Sequence, residues 1–554
     1  MNKTKRQKNG PLVSALISTY NRPAYLAEAL ESLLSQTWPY LQIVLVRDGG
    51  KPVRSVVDRF TDRRLTFIDR DQNKGLAYSF NEALSKARGD YICYLGDDDK
   101  LYPHHVEQLV TAIESQDRCQ AVYSDLYKAH CRVMADGRRI VLAKNVEISR
   151  DYDQMVMLQF NHVLHVSVMH RKDLLERAGG YNENLNVLID WDLNRKLCFY
   201  TDFLHVPVVT GEYYGPVGEC DRISVQRRKD VNDYLRNLLT IRTTRPPKPW
   251  DRVQDLSILV LSDQINDPFN QTIQDLWSHV FYPNQIYAAV PREQADSWNP
   301  TTPNTVKVKV DWRDDAGQRV DRMLAICQSP FTALFPAGLP VEKDESAWVE
   351  RSLYPLLNSS EPNVGFELIE SSPRQWGAVF RTSELRRARE QFGHLQLRES
   401  IQAAGIAVRK PKLEEYPFQF DYILAGAEQV ELKGDWLRAA AIYDYLAEHF
   451  GNTLWMQIRR AHALHRGGQR QAAIDLIRQV NQVRPSVSSR LIEGRALAQK
   501  KEYRQAIEAF EQARLILEGA EYPTKKPNQA RKRIRMEPTA FQPVLSQQES
   551  GPWT

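Results

Sequence analysis

The chain has 554 residues and a formal net charge of +5, with 42% hydrophobic and 26% charged residues. It is too long for one core and has the composition of a folded globular protein, so three or four domains are expected. The charge is too small for a nucleic-acid binder of this size, and no apolar run approaches the ~20 residues that span a bilayer. The segment Met1–Gly10 is basic and polar without the apolar stretch of a secretory signal. Six scattered cysteines with no Cys-x-x-Cys pair argue against zinc or a disulfide framework and for a reducing, cytoplasmic setting.

Leu12 to Ser18 is an apolar run that predicts a buried strand, opening into Thr19-Tyr20-Asn21-Arg22-Pro23. Pro23 suits the first turn of a helix, and Leu26, Ala29, Leu30, Leu33 and Leu34 follow at helical spacing. A second strand over Gln42–Val46 ends in Arg47-Asp48-Gly49-Gly50, and a short helix is predicted over Val53–Phe60. A third strand over Leu65–Ile68 leads to Asn73-Lys74-Gly75, and a helix over Leu76–Arg88 follows. The fourth strand, Tyr91–Leu95, runs through Gly96 into Asp97, Asp98 and Asp99. This alternation predicts βαβ units and a mostly parallel sheet, whose strand ends gather Asn21, Asp48, Asn73 and the acids at one edge. Three adjacent carboxylates repel one another unless a cation or solvent compensates, and a hard divalent ion carrying phosphate oxygens would do so. A solvated acidic turn or helix cap is the plainer reading of the triplet taken alone.

Ser18-Thr19-Tyr20-Asn21-Arg22, Asp48-Gly49-Gly50, Asn73-Lys74-Gly75 and Gly96-Asp97-Asp98-Asp99, in this order, resemble the family-two glycosyltransferases of the GT-A fold over about residues 11 to 215. The resemblance implies a nucleotide-sugar donor and Mn²⁺ or Mg²⁺ held by Asp97 and Asp99 as the family's Asp-x-Asp pair. It implies donor contacts from Thr19, Tyr20, Asn21, Arg22, Asp48, Asn73, Gly75, Asp97 and Asp98, with Asp48 beside the base or ribose. One departure is Arg47-Asp48-Gly49-Gly50, where the family often has Asp-Asp-Gly-Ser.

In the acceptor half, a helix is predicted over His104–Ser115, a strand over Ala121–Leu126 ending at Asp125, and another over Asn161–Met169. Leu188-Ile189-Asp190-Trp191-Asp192-Leu193 corresponds to the family's Glu-Asp-x-Asp-Leu, with Ile189 in place of the Glu. The resemblance makes Asp190 the general base, and its apolar neighbours would raise its pKa usefully. The plainer alternative is that Asp190 and Asp192 both cap the helix N-terminus; the family match favours catalysis for Asp190 and leaves capping to Asp192. His162 and His170 read as core or loop residues, and His165 as an acceptor-site candidate.

After a Pro-rich linker at 243–254, residues 255–410 repeat the hydrophobic pattern of the first domain, with Ala337-Gly338-Leu339 where the acids stood. A second, degenerate GT-A-like α/β domain without metal ligands is expected. Residues 411–520 read as helices in which Gly434, Gly468 and Lys501 mark a period of 33 or 34 residues, which resembles tetratricopeptide repeats. These would serve as structural helices or as a platform for a protein partner or the acceptor. Residues 1–10 read as a basic extension and 521–554 as a disordered basic tail, with peripheral attachment to the inner face of a membrane one consequence of that charge. With 11–242 as the catalytic domain, the reading is a metal-dependent inverting glycosyltransferase acting on a glycan, lipid-linked glycan or protein acceptor, in polysaccharide or glycoconjugate synthesis. A nucleotide-sugar-binding pseudoenzyme or a repeat scaffold are the alternatives.

Overall fold

Every residue of β1 (Val13–Thr19) and β2 (Leu41–Asp48) is buried, as continuous apolar runs in a sheet covered on both faces require. The computed structural model describes all residues except 1–9, 135–136, 147, 217–230, 263, 312, 339–347, 373–374, 413–415, 417–418, 450–453 and 518–554. The basic extension up to residue 9 and the basic tail therefore lie outside the described residues.

The first sheet adds β3 (Leu65–Arg70), β4 (Tyr91–Gly96), β5 (Lys100–Leu101), β6 (Ala121–Val133), β7 (Arg139–Asn145), β8 (Val168–Arg171) and β9 (Phe203–Pro216). Its order is β3-β2-β1-β4-β8-β6-β9-β5, with β7 paired to β6. The half from β3 to β4 is parallel, and β8 then enters antiparallel to both β4 and β6. The sheet is thus mixed rather than mostly parallel. Two predicted strands differ in extent. Asn161–Met169 is a loop and a single 3-10 turn at His165–Ser167, and only Val168–Arg171 is strand. Val163 and Val166 are buried by packing on neighbouring elements, not by alternation along a strand. In the other direction, β6 runs well past Asp125 to Val133 because β7 and β9 pair with its second half.

A second sheet is built from β10 (Leu256–Leu261), β11 (Asn284–Pro291), β12 (Thr305–Val310), β13 (Phe331–Pro336), β14 (Val364–Ser372), β15 (Gln375–Arg381) and β16 (Ala407–Arg409). Its order, β12-β11-β10-β13-β15-β14-β16, repeats the path β3-β2-β1-β4-β8-β6 of the first. The register repeats as well. Val13 faces Leu41 and Leu256 faces Asn284, each pair 28 residues apart, while Tyr91 faces Arg171 and Phe331 faces Arg381. Counting along β4 and β13 from these anchors places Ala337 and Gly338 where Asp97 and Asp98 stand in the first sheet. Leu339 lies outside the described residues.

One hydrophobic core runs through both units, from Leu16 and Trp191 to Phe281 and Phe335. Arg195 is buried within it and donates to the carbonyls of Leu158, Thr244, Arg242 and Phe281. The segment read as a linker is itself packed, with the Trp250 ring edge-on to Phe199 at 4.8 Å. Helices at Gln419–Leu432, Trp436–His449, Leu454–Arg466, Arg470–Val483, Val487–Gln499 and Tyr503–Leu517 follow, each packed on the next. Gly434, Gly468 and Lys501, 34 and 33 residues apart, all hold positive φ at the turns between them.

Candidate functional site at the carboxyl ends of the first sheet

β1 and β4 lie side by side with Ser18 opposite Gly96, so the turns after them meet. A Cβ on Gly96 would sit 2.6 Å from the Asp99 carboxylate and 3.1 Å from that of Asp98, so a larger residue there would push both acids aside. The three acids have different surroundings. Asp97 is buried, with Oδ2 accepting from Thr19 Oγ1 at 2.8 Å and Oδ1 3.4 Å from Arg22 Nη1. Burial, reinforced by the charge of Asp98, pushes its pKa up to about 7 against the opposing pull of Arg22 and Thr19. Asp99 is also buried, and its Oδ1 accepts from the backbone N–H of Tyr214 at 3.1 Å. The Asp98 side chain keeps 23% of its surface exposed, and its Oδ2 accepts from Arg22 Nη1 at 2.8 Å. The acid best presented to a ligand is therefore Asp98, the middle one, rather than Asp97 or Asp99.

The other expected donor residues divide into those that face solvent and those already used by the fold. Tyr20 and Asn73 are exposed. Asn21 holds φ 60° and accepts from Lys51 N at 2.8 Å, lying against Gly50, where a Cβ would come within 2.3 Å of its Oδ1. This contact is the physical reason for a second glycine after Asp48. Asp48 is buried, accepts from the backbone N–H groups of Lys74 at 2.8 Å and Gly75 at 3.0 Å, and pairs with Arg70. Its carboxylate fastens the 73–75 turn to the end of β2. Arg47 is turned to the β3 side, pairing with Asp69 and with Asp71 at 2.8 Å.

On the acceptor side, Asp190 opens the helix Ile189–Leu197 and is half-buried. Burial raises its pKa, against backbone N–H groups and the Asn161 amide, which donates to Oδ2 at 2.8 Å. Asp192 is not a cap: no side chain caps this helix, and Asp192 is buried against Lys196 Nζ at 2.7 Å, one turn on. His165 is packed against Tyr94 at 4.1 Å between ring centres and bonds the Tyr181 hydroxyl at 2.7 Å. Burial holds its pKa down to about 3, so it is a neutral histidine already engaged by these two tyrosines.

Three residues that sequence reasoning passed over stand beside the acids. Arg139 on β7 donates to the Asp98 carbonyl and, at 2.8 Å, to Glu28, with its guanidinium 3.5 Å from the Tyr214 ring centre. Tyr214 and Glu212 on β9 complete the group, with the Tyr214 hydroxyl donating to Glu212 at 2.8 Å. The motif Gly211-Glu212-Tyr213-Tyr214-Gly215 was the only local signal for them.

Among the described residues no three His, Cys, Asp or Glu side chains form a cage for a metal ion. The acids do fit the other way of holding a hard cation, by one or two carboxylates with substrate phosphates and water supplying the remaining ligands. The buried, charge-strained Asp97 beside the accessible Asp98 offers that donor set.

Residues 14–170 match the model of the family described as Glycosyl transferase family 2, a span from β1 to β8. This part of the chain is thus similar to glycosyltransferase domains. It is 29% identical over 180 residues to the uncharacterized glycosyltransferase YwdF of Bacillus subtilis, covering 32% of this chain and 65% of that one. It is 31% identical over 192 residues to Protein CgeD of the same organism, covering 31% of this chain and 42% of CgeD. A PGL/p-HBAD biosynthesis glycosyltransferase of Mycobacterium bovis is 28% identical over 216 residues, with 37% of this chain and 78% of that one covered. This chain therefore spans less than two thirds of the first two relatives. Among solved structures, S. aureus TarS 1-349 in complex with UDP-GlcNAc is similar at 16% identity and a TM-score of 0.33, over 42% of this chain and 66% of that one. No helix among the described residues is long and apolar enough to cross a membrane.

Proposed function

We propose that the chain transfers a sugar from a nucleotide-sugar donor to an acceptor hydroxyl, in the assembly of a polysaccharide or glycoconjugate, by a divalent-cation-dependent, inverting displacement. The observation that carries this reading is the meeting of Thr19, Arg22 and the Asp97–Asp99 turn at the carboxyl ends of β1 and β4, inside the segment matching the family model. Ligands of open α/β sheets bind at that edge. Asp98, with Asp97 or Asp99 behind it, would hold the cation, which when bound offsets negative charge on the diphosphate leaving group. Tyr20 and Asn73, which are exposed, would meet the nucleoside, with Asp48, Gly75 and Asn21 shaping the turns around it. Asp190 takes the proton of the acceptor hydroxyl, its raised pKa making it a stronger base than an ordinary carboxylate, and Asn161 fixes its orientation. A single displacement of this kind inverts the anomeric centre.

The repeated order and register of the second sheet support reading it as a degenerate GT-A-like unit that takes no cation-bound nucleotide. The helices from Gln419 support a tetratricopeptide-like array through their recurring positive-φ turns and the buried Ala440, Ala473 and Ala506. One observation favours a binding protein without turnover: Arg22 already lies against both Asp97 and Asp98. A panel of nucleotide sugars, read by thermal stabilisation and by nucleotide release with and without Mn²⁺, separates the two. Stabilisation with Mn²⁺-dependent release supports transfer, stabilisation without release supports the binding protein, and neither defeats both.

A further inference from the structure

The hairpin β6–β7 reaches from the sheet to the acid turn and is held there from two sides. On the site side, Arg139 donates to the Asp98 carbonyl and lies between the rings of Tyr214 and Tyr25, 3.5 and 4.4 Å from their centres. Further along β7, Lys144 forms a buried ion pair with Glu212 at 2.5 Å, and Glu212 also accepts from Tyr102 at 3.3 Å. Because Tyr214 N–H donates to Asp99, β7 and β9 together grip two of the three acids through protein contacts. On the other side, the helices Val487–Gln499 and Tyr503–Leu517 pack on β7. Arg484, just before them, reaches Asp125 on β6 at 2.8 Å and also donates to the Pro207 carbonyl. Asp125 is buried and Arg484 half-buried, so the pair is partly withdrawn from water.

Near the sheet the hairpin is held, since β9 pairs with β6 as far as Cys131 and Ala129, Cys131 and Tyr214 are buried together. Its outer end leaves Val133, Met134, Ile140 and Leu142 exposed, so that end gains hold from what packs on β7. We propose that the C-terminal helices are a working part of the sugar-nucleotide site: by clamping the hairpin through Arg484 they keep Arg139 on the Asp98 turn. This inference rests on the glycosyltransferase reading. Arg139 and Arg484 are positioning residues, acting through the backbone and the acids of the turn. Arg139 serves through a planar fork and a stacked face, which lysine does not reproduce, whereas Arg484 serves largely through its charge on Asp125.

The test uses the full chain and the probes UDP and GDP with Mn²⁺, their affinities measured by calorimetry. Arg484→Ala is expected to weaken the nucleotide that binds by about tenfold, within the range of intramolecular coupling, and Arg484→Lys to restore most of it. Arg139→Ala and Arg139→Lys should both weaken it at least as much. Because the two arginines act on one hairpin, the double alanine variant should bind no more weakly than Arg139→Ala alone. Wild-type affinity in a folded Arg484→Ala variant, or additive losses in the double variant, overturns the inference and leaves the enzyme reading standing. If the wild type binds neither of these nor any member of the nucleotide-sugar panel, the enzyme reading fails and takes this inference with it. If Arg139→Ala does not fold, the contrast between Arg484→Ala and Arg484→Lys decides.

Discussion

Replacing His205 with glutamine should destabilise the protein at pH 6 and much less at pH 9.5. His205 lies on β9 between the carboxylates of Asp125 and Asp151, each 2.9 Å away, and its ring stacks on Tyr123. Burial alone would lower its pKa, but the two acids overcome that and raise it from 6.5 to about 9. At 1.36 kcal/mol per pH unit, the rise corresponds to about 3 kcal/mol favouring the protonated folded state. Asp151 is 97% exposed, so its share is screened, and about 2 kcal/mol is the better figure. The folded pKa is the higher one. The contribution is therefore complete below about pH 6.5, falls as pH rises, and is gone above about pH 9. The glutamine variant keeps a hydrogen-bonding side chain but no titrating charge. Thermal and denaturant unfolding of both proteins at intervals from pH 6 to 9.5 gives the comparison, with tryptophan fluorescence as readout. The difference between them should shrink by about 2 kcal/mol across that range. A constant difference would mean that His205 is neutral in the folded protein and that Arg484 alone compensates Asp125.

Asp190→Asn should lower turnover ~10²–10⁴-fold while nucleotide affinity is kept, as loss of a general base does; unchanged turnover in a transfer assay would move the role elsewhere. The fall in kcat on acidification should have its inflection above the ordinary carboxylate range, since base function is lost as Asp190 protonates and burial raises its pKa. Asp98→Ala should abolish Mn²⁺-dependent nucleotide binding with little change in melting temperature, because the side chain is partly exposed and packs no core; binding that survives would return the role to Asp97 and Asp99. Arg195→Lys should cost about 2–4 kcal/mol, since one ammonium cannot satisfy the four carbonyls the guanidinium reaches. Equilibrium unfolding checks this, and a loss under 1 kcal/mol would show that water takes over the carbonyls.

The elements legible in the sequence were those whose own residues determine their burial. Tyr91–Leu95 is apolar throughout because both faces of β4 are covered, and it needs no partner to be recognised. The acids at its end were legible for the same reason, through an abrupt change from apolar run to charge. What escaped depends on distant pairing. Arg139 is an ordinary arginine on a hairpin until the register of β6 and β7 brings it to Asp98. The ranking of the three acids was equally hidden, because Thr19 and Tyr214, 78 and 115 residues away from their partners, decide which are covered. Asp192 was readable in principle, since Lys196 one turn later is the partner a helix offers.

The two sheets separate what the fold requires from what the chemistry requires. They share strand order and the register that sets β1 against β2 and β10 against β11, so the packing constraints on the parallel strands are common to both. They part at the turn. In the first, the Thr19 hydroxyl meets the Asp97 carboxylate, and a buried charge is left that only a ligand or a nearby arginine can offset. In the second, the Thr272 hydroxyl accepts from the Gly338 backbone N–H, and Ala337 N–H donates to the Leu261 carbonyl, so among the described residues this turn is held by neutral groups. A strand end satisfied by neutral hydrogen bonds has no reason to recruit a cation, whereas one carrying adjacent carboxylates does. The sheets thus bring both turns to the same edge, and the residues of each turn set the charge it presents there.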